Sequence, residues 1–258
     1  MLRLYVQAPF AVFRTFSAGW YRPTAGFLTP SAAYGLALNL AGVESRRDDG
    51  LSAMTVTQFG LPRARIALGA VGVEDDRRGW QPTVHTIFQQ LHNYPVGASG
   101  KERKGETKGS KYNITPVRRE FLADLRAVVA LDFPDRPDVE AAIRRSLDPG
   151  SAASSPRYGL PFLGDNAFLI DKLKVADDPI AASWYELLGS EGDDSGQVPY
   201  STRLTIWIDR QDMSRTKAGL FAPLNPPSVQ IPEAAWTSID PPPEPNSKLP
   251  ATRPGKKG

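Results

Sequence analysis

The residues best suited to binding chemistry lie in a basic stretch near the middle of the chain. Residues 97–119 contain seven lysines and arginines but only two glutamates, a net charge of +5, whereas all 258 residues together carry +3. Four glycines in this stretch oppose a helix, and the segments on either side favour extended structure. We therefore predict a long β-hairpin over about residues 85–119, with a basic tip that projects from the fold.

This hairpin has the properties needed to bind a nucleic acid: it projects from the fold, it is positively charged, and it carries an aromatic ring that can stack on a base. The alternative is a solvated loop that only keeps the protein soluble. The hairpin residues predicted to bind RNA are Lys101, Arg103, Lys104, Lys108, Lys111, Tyr112, Arg118 and Arg119.

A second group of arginines and aromatic residues follows the first predicted strand. Arg14 and Arg22 can each pair with a phosphate through two hydrogen bonds, and the rings of Phe16, Trp20 and Tyr21 can stack on unpaired bases. Alternatively, the rings cover a sheet edge and the arginines lie in solvent. This loop is a second candidate for RNA contact.

The two histidines, His85 and His92, raise the question of catalysis. General acid–base cleavage of RNA could use a histidine with a pKa near neutrality, a tyrosine, and a lysine that neutralises developing charge. The candidate set is His92, Tyr94 and Lys111. A histidine on a hairpin is more often a surface residue, so we predict that the protein has no catalytic residue.

The elements that must position these residues begin with a strand over Leu2–Gln7, in which apolar and polar residues alternate. Pro9 indicates that this strand ends or lies at a sheet edge there. A helix follows, with Thr29 as its cap, Pro30 as its first residue and Gly42 as its stop. Its core-facing residues are predicted to be Ala33, Leu36, Ala37 and Leu40.

Further strands are predicted over residues 65–73, 125–132, 168–175 and 202–208, with a helix over 135–147. The order strand-helix-strand, hairpin, strand-helix-strand is compatible with an α+β fold of the ferredoxin-like type. We expect an RRM-like domain at 1–150 that includes the hairpin and a smaller β-rich region at 151–240. A disordered, basic, proline-rich tail is predicted at 241–258.

Composition limits the classes of site. The chain has no cysteine and only two histidines, so disulfides, thiolate metal sites and a histidine-rich metal centre are excluded, and no metal or cofactor is predicted. No phosphate-binding loop or dinucleotide motif occurs. No apolar run approaches the roughly 20 residues that span a bilayer, and no signal-peptide pattern opens the chain. We therefore expect a cytoplasmic protein.

Segments near the amino terminus resemble a known family. LRLYVQAPFAVFR at Leu2–Arg14, RPT at Arg22–Thr24 and TPSAAYG at Thr29–Gly35 are similar to the amino-terminal signature of the Cas-five family, CRISPR-associated proteins of the RAMP superfamily. The third segment most resembles the developmental (Myxococcus-like) subtype, grouped with type I-B systems. Tyr158–Asn166 is similar to the family's carboxy-terminal Tyr-Leu-Gly segment, with altered spacing.

This resemblance implies a RAMP fold in which the basic hairpin is the family's thumb, and it adds Thr24, Ser31 and Tyr34 to the predicted RNA-binding residues. It implies a subunit of a type I Cascade complex that holds the 5′ handle of the CRISPR RNA. The implied partners are the backbone subunit, the large subunit and target DNA near the complex. One branch of the family, in type I-C systems, cuts its own precursor RNA, but no lysine directly precedes either histidine here. A stand-alone nucleic-acid-binding module is the third alternative.

Overall fold

The computed structural model of the protein describes residues 1–15, 20–49, 55–72, 82–92, 114–150, 159–188 and 200–242. Within these ranges the fold consists of a large sheet, a small two-stranded sheet and two α-helices. The elements are β1 (Leu2–Ala11), β2 (Tyr21–Arg22), α1 (Pro30–Ala41), β3 (Arg46–Arg47), β4 (Val56–Thr57), β5 (Ala64–Ala70), β6 (Thr83–His92), β7 (Ile114–Asp132), α2 (Pro137–Leu147), β8 (Lys172–Val175), β9 (Ser183–Leu187), β10 (Thr202–Trp207), β11 (Lys217–Pro223) and β12 (Thr237–Ile239).

Four strands and the two helices form the centre of the fold. The strands lie in the order β8-β1-β7-β5, and every neighbouring pair is antiparallel. Helix α1 connects the region of β1 to that of β5, and α2 connects β7 to β8. This is the split β-α-β arrangement of a ferredoxin-like fold, so the predicted α+β class is confirmed.

Helix α1 forms where its sequence predicts. The Thr29 side chain accepts a hydrogen bond from the Ala32 N–H at 3.2 Å, and Pro30 is the first helical residue. Gly42 ends the helix with φ 72°, a left-handed conformation that glycine adopts without a steric penalty. The predicted core-facing residues are buried against the sheet: Ala33, Leu36, Ala37 and Leu40.

Strand β1 continues through Pro9 to Ala11, so the strand does not end at the proline. β8 pairs with β1 only from Leu4 to Gln7, and beyond that point no strand in the described part of the chain pairs with that side of β1. A residue without an N–H is tolerated there. Pro9 lies opposite Asp124 of β7, because its neighbours Ala8 and Phe10 pair with Leu125 and Ala123.

Two antiparallel strands, β6 and β7, lie where the sequence predicts a hairpin over about residues 85–119. Thr83–His92 lies antiparallel to residues 114–123, and the predicted tip falls outside the described residues. β7 is 19 residues long and continues into the centre of the sheet, where it pairs with β1 and β5. Asp124, between these two halves, has φ 57°, which is uncommon for a residue other than glycine.

The strands after residue 150 join the same sheet. β8 pairs with β1, while β9 and β12 both pair with β5. The sheet thus continues across the boundary that the sequence suggested at residue 150. The strand predicted over 168–175 begins only at Lys172, because the chain turns at Asp165, whose carbonyl accepts a hydrogen bond from the Phe168 N–H. No helix in the described part of the chain is long and apolar enough to cross a membrane.

Two glycines provide a matched test of backbone geometry. Gly164 has φ +80°, and a Cβ added there would lie 1.5 Å from the carbonyl oxygen of Val12, whereas Gly35 in α1 has open space around it. We expect Gly164→Ala to lower the free energy of unfolding by about 2 kcal/mol or more, because both the backbone and the contact resist a side chain. Gly35→Ala should raise it by about 1 kcal/mol. Urea denaturation measures the free energy of unfolding of both variants. Similar changes for the two variants would contradict the close contact between Gly164 and the Val12 carbonyl.

Two buried tyrosines differ in their hydrogen bonds. The Tyr34 hydroxyl donates to the carbonyl of Pro62 at 2.7 Å, whereas the Tyr185 hydroxyl has no hydrogen-bond partner within the described ranges. Tyr34→Phe should therefore cost about 1 kcal/mol, because it leaves a carbonyl unsatisfied. Tyr185→Phe should leave the free energy of unfolding unchanged or raise it. A larger loss for Tyr185→Phe in thermal or chemical denaturation would refute the assignment.

Candidate nucleic-acid interface

The candidate interface is built on the thumb base, which we define as the part of the sheet where β7 lies between β2 and β6. Arg118 pairs with Tyr21 of β2 on one side and with Phe88 of β6 on the other. Arg119 pairs with Arg22 and Ile87 in the same way. Since side chains alternate along a strand, these two rows project from opposite faces of the sheet.

Arg119 anchors one face of the thumb base. It is 3% exposed and forms an ion pair with Asp165, in which Nη1 lies 2.8 Å from Oδ2. The same nitrogen donates to the side-chain oxygen of Gln89 at 3.0 Å, and the guanidinium lies 5.7 Å from the centre of the Phe168 ring. Asp165 belongs to the segment that resembles the family's carboxy-terminal motif, so the ion pair joins this segment to the thumb.

The pKa of the Asp165 carboxyl reflects competing effects. Burial acts to raise this pKa, but the backbone N–H of Ala167 and the charge of Arg119 outweigh burial and hold it below its ordinary value. The carboxylate is therefore charged at neutral pH and neutralises one of the guanidinium groups in this region. Gly164 precedes Asp165 and lets the loop approach the Val12 carbonyl closely. This close approach places the Asp165 carboxylate.

Positive charge accumulates beside this ion pair. Burial lowers the pKa of Arg14, and the neighbouring charges of Arg119 and Arg22 lower it further, while Asp165 acts in the opposite direction. The pKa of Arg210 is likewise lowered, first by burial and then by the charges of Arg46 and Arg14. Because these guanidinium groups stay charged and oppose one another, an anion placed among them would be stabilised.

Within the described residues, Arg14, Arg22 and Arg118 form no ion pair with an acidic side chain. Next to Arg14, Thr15 lines a shallow cleft of about 160 Å³ whose wall also carries Arg203. Arg22, which the sequence assigned to the same candidate site as Arg14, lies close enough for its charge to lower the pKa of Arg14. The contributions of Arg46, Arg203 and Arg210 were not predicted, since each lies in a distant segment without a local motif.

Glu120 holds the loop that carries Tyr21. Its carboxylate accepts hydrogen bonds from the Tyr21 hydroxyl and, at 3.0 Å, from the Thr24 backbone N–H. The hydrogen bond to Glu120 raises the pKa of Tyr21, so its ring is neutral at physiological pH. The Thr24 hydroxyl accepts from the Phe13 N–H at 2.9 Å, which ties the loop to the end of β1.

Three residues predicted to bind RNA lie inside the protein. Thr24, Tyr34 and Arg119 are all 9% exposed or less, and each makes its hydrogen bonds within the chain. Burial raises the pKa of the Tyr34 hydroxyl, which stays protonated. This burial corrects the expectation that these side chains are offered directly to RNA, because they position the loop, the helix and the thumb. Ser31, at the start of α1, is half-buried and lies 3.2 Å from the Thr29 hydroxyl.

The remaining predicted residues divide into exposed and undescribed ones. Trp20, Tyr21 and Arg118 are exposed, and Arg22 is partly exposed. His85 is exposed, lies 3.1 Å from the Thr83 hydroxyl and stacks on Phe121. His92 belongs to β6, but its side chain lies outside the described part. Also outside the described residues are Phe16, Tyr94, Lys101, Arg103, Lys104, Lys108, Lys111 and Tyr112.

The Arg119–Asp165 ion pair gives a prediction on stability and pH. Asp165→Asn should lower the free energy of unfolding at pH 7 by about 3 kcal/mol or more, because it leaves a guanidinium buried without its partner. Since the folded pKa of Asp165 is lowered, its contribution is present above pH ~3.9 and is lost as the pH falls through the folded pKa. Denaturation of wild type and variant at several pH values should therefore show the difference shrinking in acid.

The matched control is Asp135→Asn, which breaks the exposed ion pair between Arg63 and Asp135. This change should cost less than about 1 kcal/mol, because solvent screens the pair. Equal losses for the two variants at pH 7 would mean that Asp165 does not anchor the thumb.

Comparison with known proteins places these features in context. Residues 1–153 match the family model described as CRISPR-associated protein (Cas_Cas5). A chain of a structure described as "CRISPR RNA-guided surveillance complex" is similar at 16% identity and a TM-score of 0.47, over 88% of this chain and 89% of that one. A second structure, "Crystal structure of Cas protein", is similar at 15% identity and a TM-score of 0.37, over 86% and 94%. A search of curated proteins finds no match. Since the family model covers more than half of the sequence, the chain belongs to the CRISPR-associated Cas_Cas5 family.

Proposed function

We propose that this protein is a non-catalytic CRISPR RNA-binding subunit of a type I Cascade surveillance complex, in which it caps the 5′ handle of the guide. The observation that carries the proposal is the placement of Arg14 and Arg22 beside the thumb base. Arg14 forms a bridge with Thr24, two residues after Arg22, and neither arginine forms an ion pair with an acidic side chain in the described residues. Guanidinium groups held in this way can bind successive phosphates of one RNA strand. Family membership makes a CRISPR RNA the natural source of that strand.

The proposal includes protein partners. The backbone subunit would contact the thumb, and the large subunit would contact another face near the target DNA, as the resemblance to the family implies. Apolar side chains that are exposed beside the thumb base, among them Phe10, Phe162 and Leu169, provide surface that a protein partner could cover. Their grouping is supported by the bridge between Phe162 and Leu169 and by the contact of Phe10 with Phe168.

The test is the salt dependence of RNA binding by the purified full chain. For a single strand the logarithm of affinity falls with the logarithm of salt concentration with a slope of about −0.7 per neutralised phosphate. Replacement of both Arg14 and Arg22 by alanine should lower affinity for repeat-derived RNA and reduce the slope by about 1.4. Fluorescence anisotropy over a salt series measures both quantities.

The charge-matched control replaces Arg136 and Arg144 by alanine. Both lie on or next to α2 and pair with acids, namely Asp138 and Asp177. This control should leave affinity and slope unchanged. If both double variants weaken binding equally, the effect comes from net charge and the site is not at the thumb base.

A cleavage assay separates the proposal from the endoribonuclease alternative. Repeat RNA incubated with the protein in EDTA should be bound and remain intact. A metal-independent cut that disappears in His92→Ala would replace this proposal by processing of precursor RNA. Equal affinity for unrelated RNA, with no association with backbone or large subunits, would instead favour a stand-alone nucleic-acid-binding module.

A further inference from the structure

One face of the thumb base carries a row of aromatic and cationic side chains that the sequence does not reveal. Phe88 on β6, Arg118 on β7 and Tyr21 on β2 are direct neighbours across three paired strands. Because paired residues project to the same face and neighbouring strands lie about 4.8 Å apart, the two rings flank the guanidinium at roughly 10 Å from each other.

All three members of the row are exposed. Phe88 is 75% exposed, the largest value among the exposed apolar side chains of the described residues, and Tyr21 is 41% exposed. Arg118 is also exposed and has no acidic partner in the described ranges. An exposed phenylalanine on a regular strand, beside an unpaired guanidinium, has no role in the core of the fold.

The row is held in place from the protein side. The Arg118 backbone N–H donates to the Trp20 carbonyl at 2.9 Å, which fixes β2 against β7. Glu120, two residues further along the same face, accepts the Tyr21 hydroxyl and so fixes the tilt of that ring. The Glu120 carboxylate thus accepts hydrogen bonds within the protein. Arg118 remains the charged group at the centre of the row.

The surroundings of the row favour a nucleic acid over a protein partner. Thr86 and Gln90 flank Phe88 on the same face, so the ring does not belong to a continuous apolar patch. A platform with π-faces at its two ends and a cation between them matches unpaired bases joined by a phosphate. The opposite face of the same strands carries Arg22, which adds to the positive potential around the strand.

We propose that Tyr21, Arg118 and Phe88 form a stacking platform for unpaired nucleobases of a single RNA strand, with Arg118 binding the intervening phosphate. This rests on the RNA-binding role proposed above and assigns a subsite within it. Phe88 supplies stacking affinity that tolerates any base, and Tyr21 supplies a second ring whose orientation Glu120 sets.

The experiment compares two probes: a short oligoadenylate RNA, and an abasic oligomer of the same length and phosphate number. Wild-type protein should bind oligoadenylate more tightly, by about 10-fold. Phe88→Ala should remove most of this difference without changing the affinity for the abasic probe or the salt slope. Phe88→Tyr should retain the wild-type preference because it keeps the ring, whereas Arg118→Ala should weaken binding of both probes.

Leu220→Ala is the control, since Leu220 on β11 is also an exposed apolar residue, at 47%, and lies outside the row. It should bind both probes as wild type does. Denaturation of Phe88→Ala should match wild type, because an exposed ring adds little to stability.

The outcomes separate the platform from the proposed function. If wild type binds both probes equally and Phe88→Ala changes neither affinity, the platform is overturned while phosphate binding stands. If wild type binds neither probe nor repeat RNA, the RNA-binding role itself fails. If Phe88→Ala leaves oligoadenylate affinity intact but releases another Cascade subunit from the complex, the row is a protein contact and the assignment to RNA is wrong.

Discussion

The hydrogen-bonded ladder of β7 is the constraint on which the rest of the structure depends. One half of this strand pairs with β1 and β5 at the centre of the sheet, and the other half pairs with β6 and β2 at the thumb base. Every residue of the candidate interface on β7 is thereby fixed relative to the hydrophobic core. The thumb extends the folded domain, so its base needs no separate core of its own.

Electrostatics at the thumb base depend on an imbalance between buried and exposed charge. Arg119 is buried and has its charge balanced by Asp165, which stabilises the junction between the thumb and the loop after residue 159. Arg14, Arg22 and Arg118 have no such partner in the described residues. An ion pair inside the protein therefore serves structure, while the unpaired guanidinium groups around it create the field available to a ligand.

Local patterns were sufficient to predict α1, the extended segments that form β6 and β7, and the α+β class, because caps, glycines and alternation act over a few residues. Thr29, Pro30 and Gly42 hold the positions that their chemistry indicates. The same reasoning also brought Arg14 and Arg22 together, since they lie on one loop.

Long-range pairing accounts for what could not be predicted. The row through Phe88 depends on the register of two strands, one of which pairs in parallel after a loop, and no spacing along the sequence encodes it. Arg46 and Arg210 meet Arg14 only through the folded chain. Asp165 pairs with a buried arginine that lies 46 residues away in the sequence, and no local pattern indicates this contact. The prediction of a strand from residue 168 failed for the same reason, as the turn at Asp165 delays the start of β8.

The left-handed backbone of Asp124 lies where β7 passes from the centre of the sheet into the thumb base, opposite a proline that lacks an N–H. The residues on either side of Asp124 remain paired, so one backbone torsion joins the two halves of the strand without a break in the sheet. The consequence is a limit on the residue type that position 124 accepts. Aspartate tolerates the left-handed region, whereas a β-branched residue would be strained there.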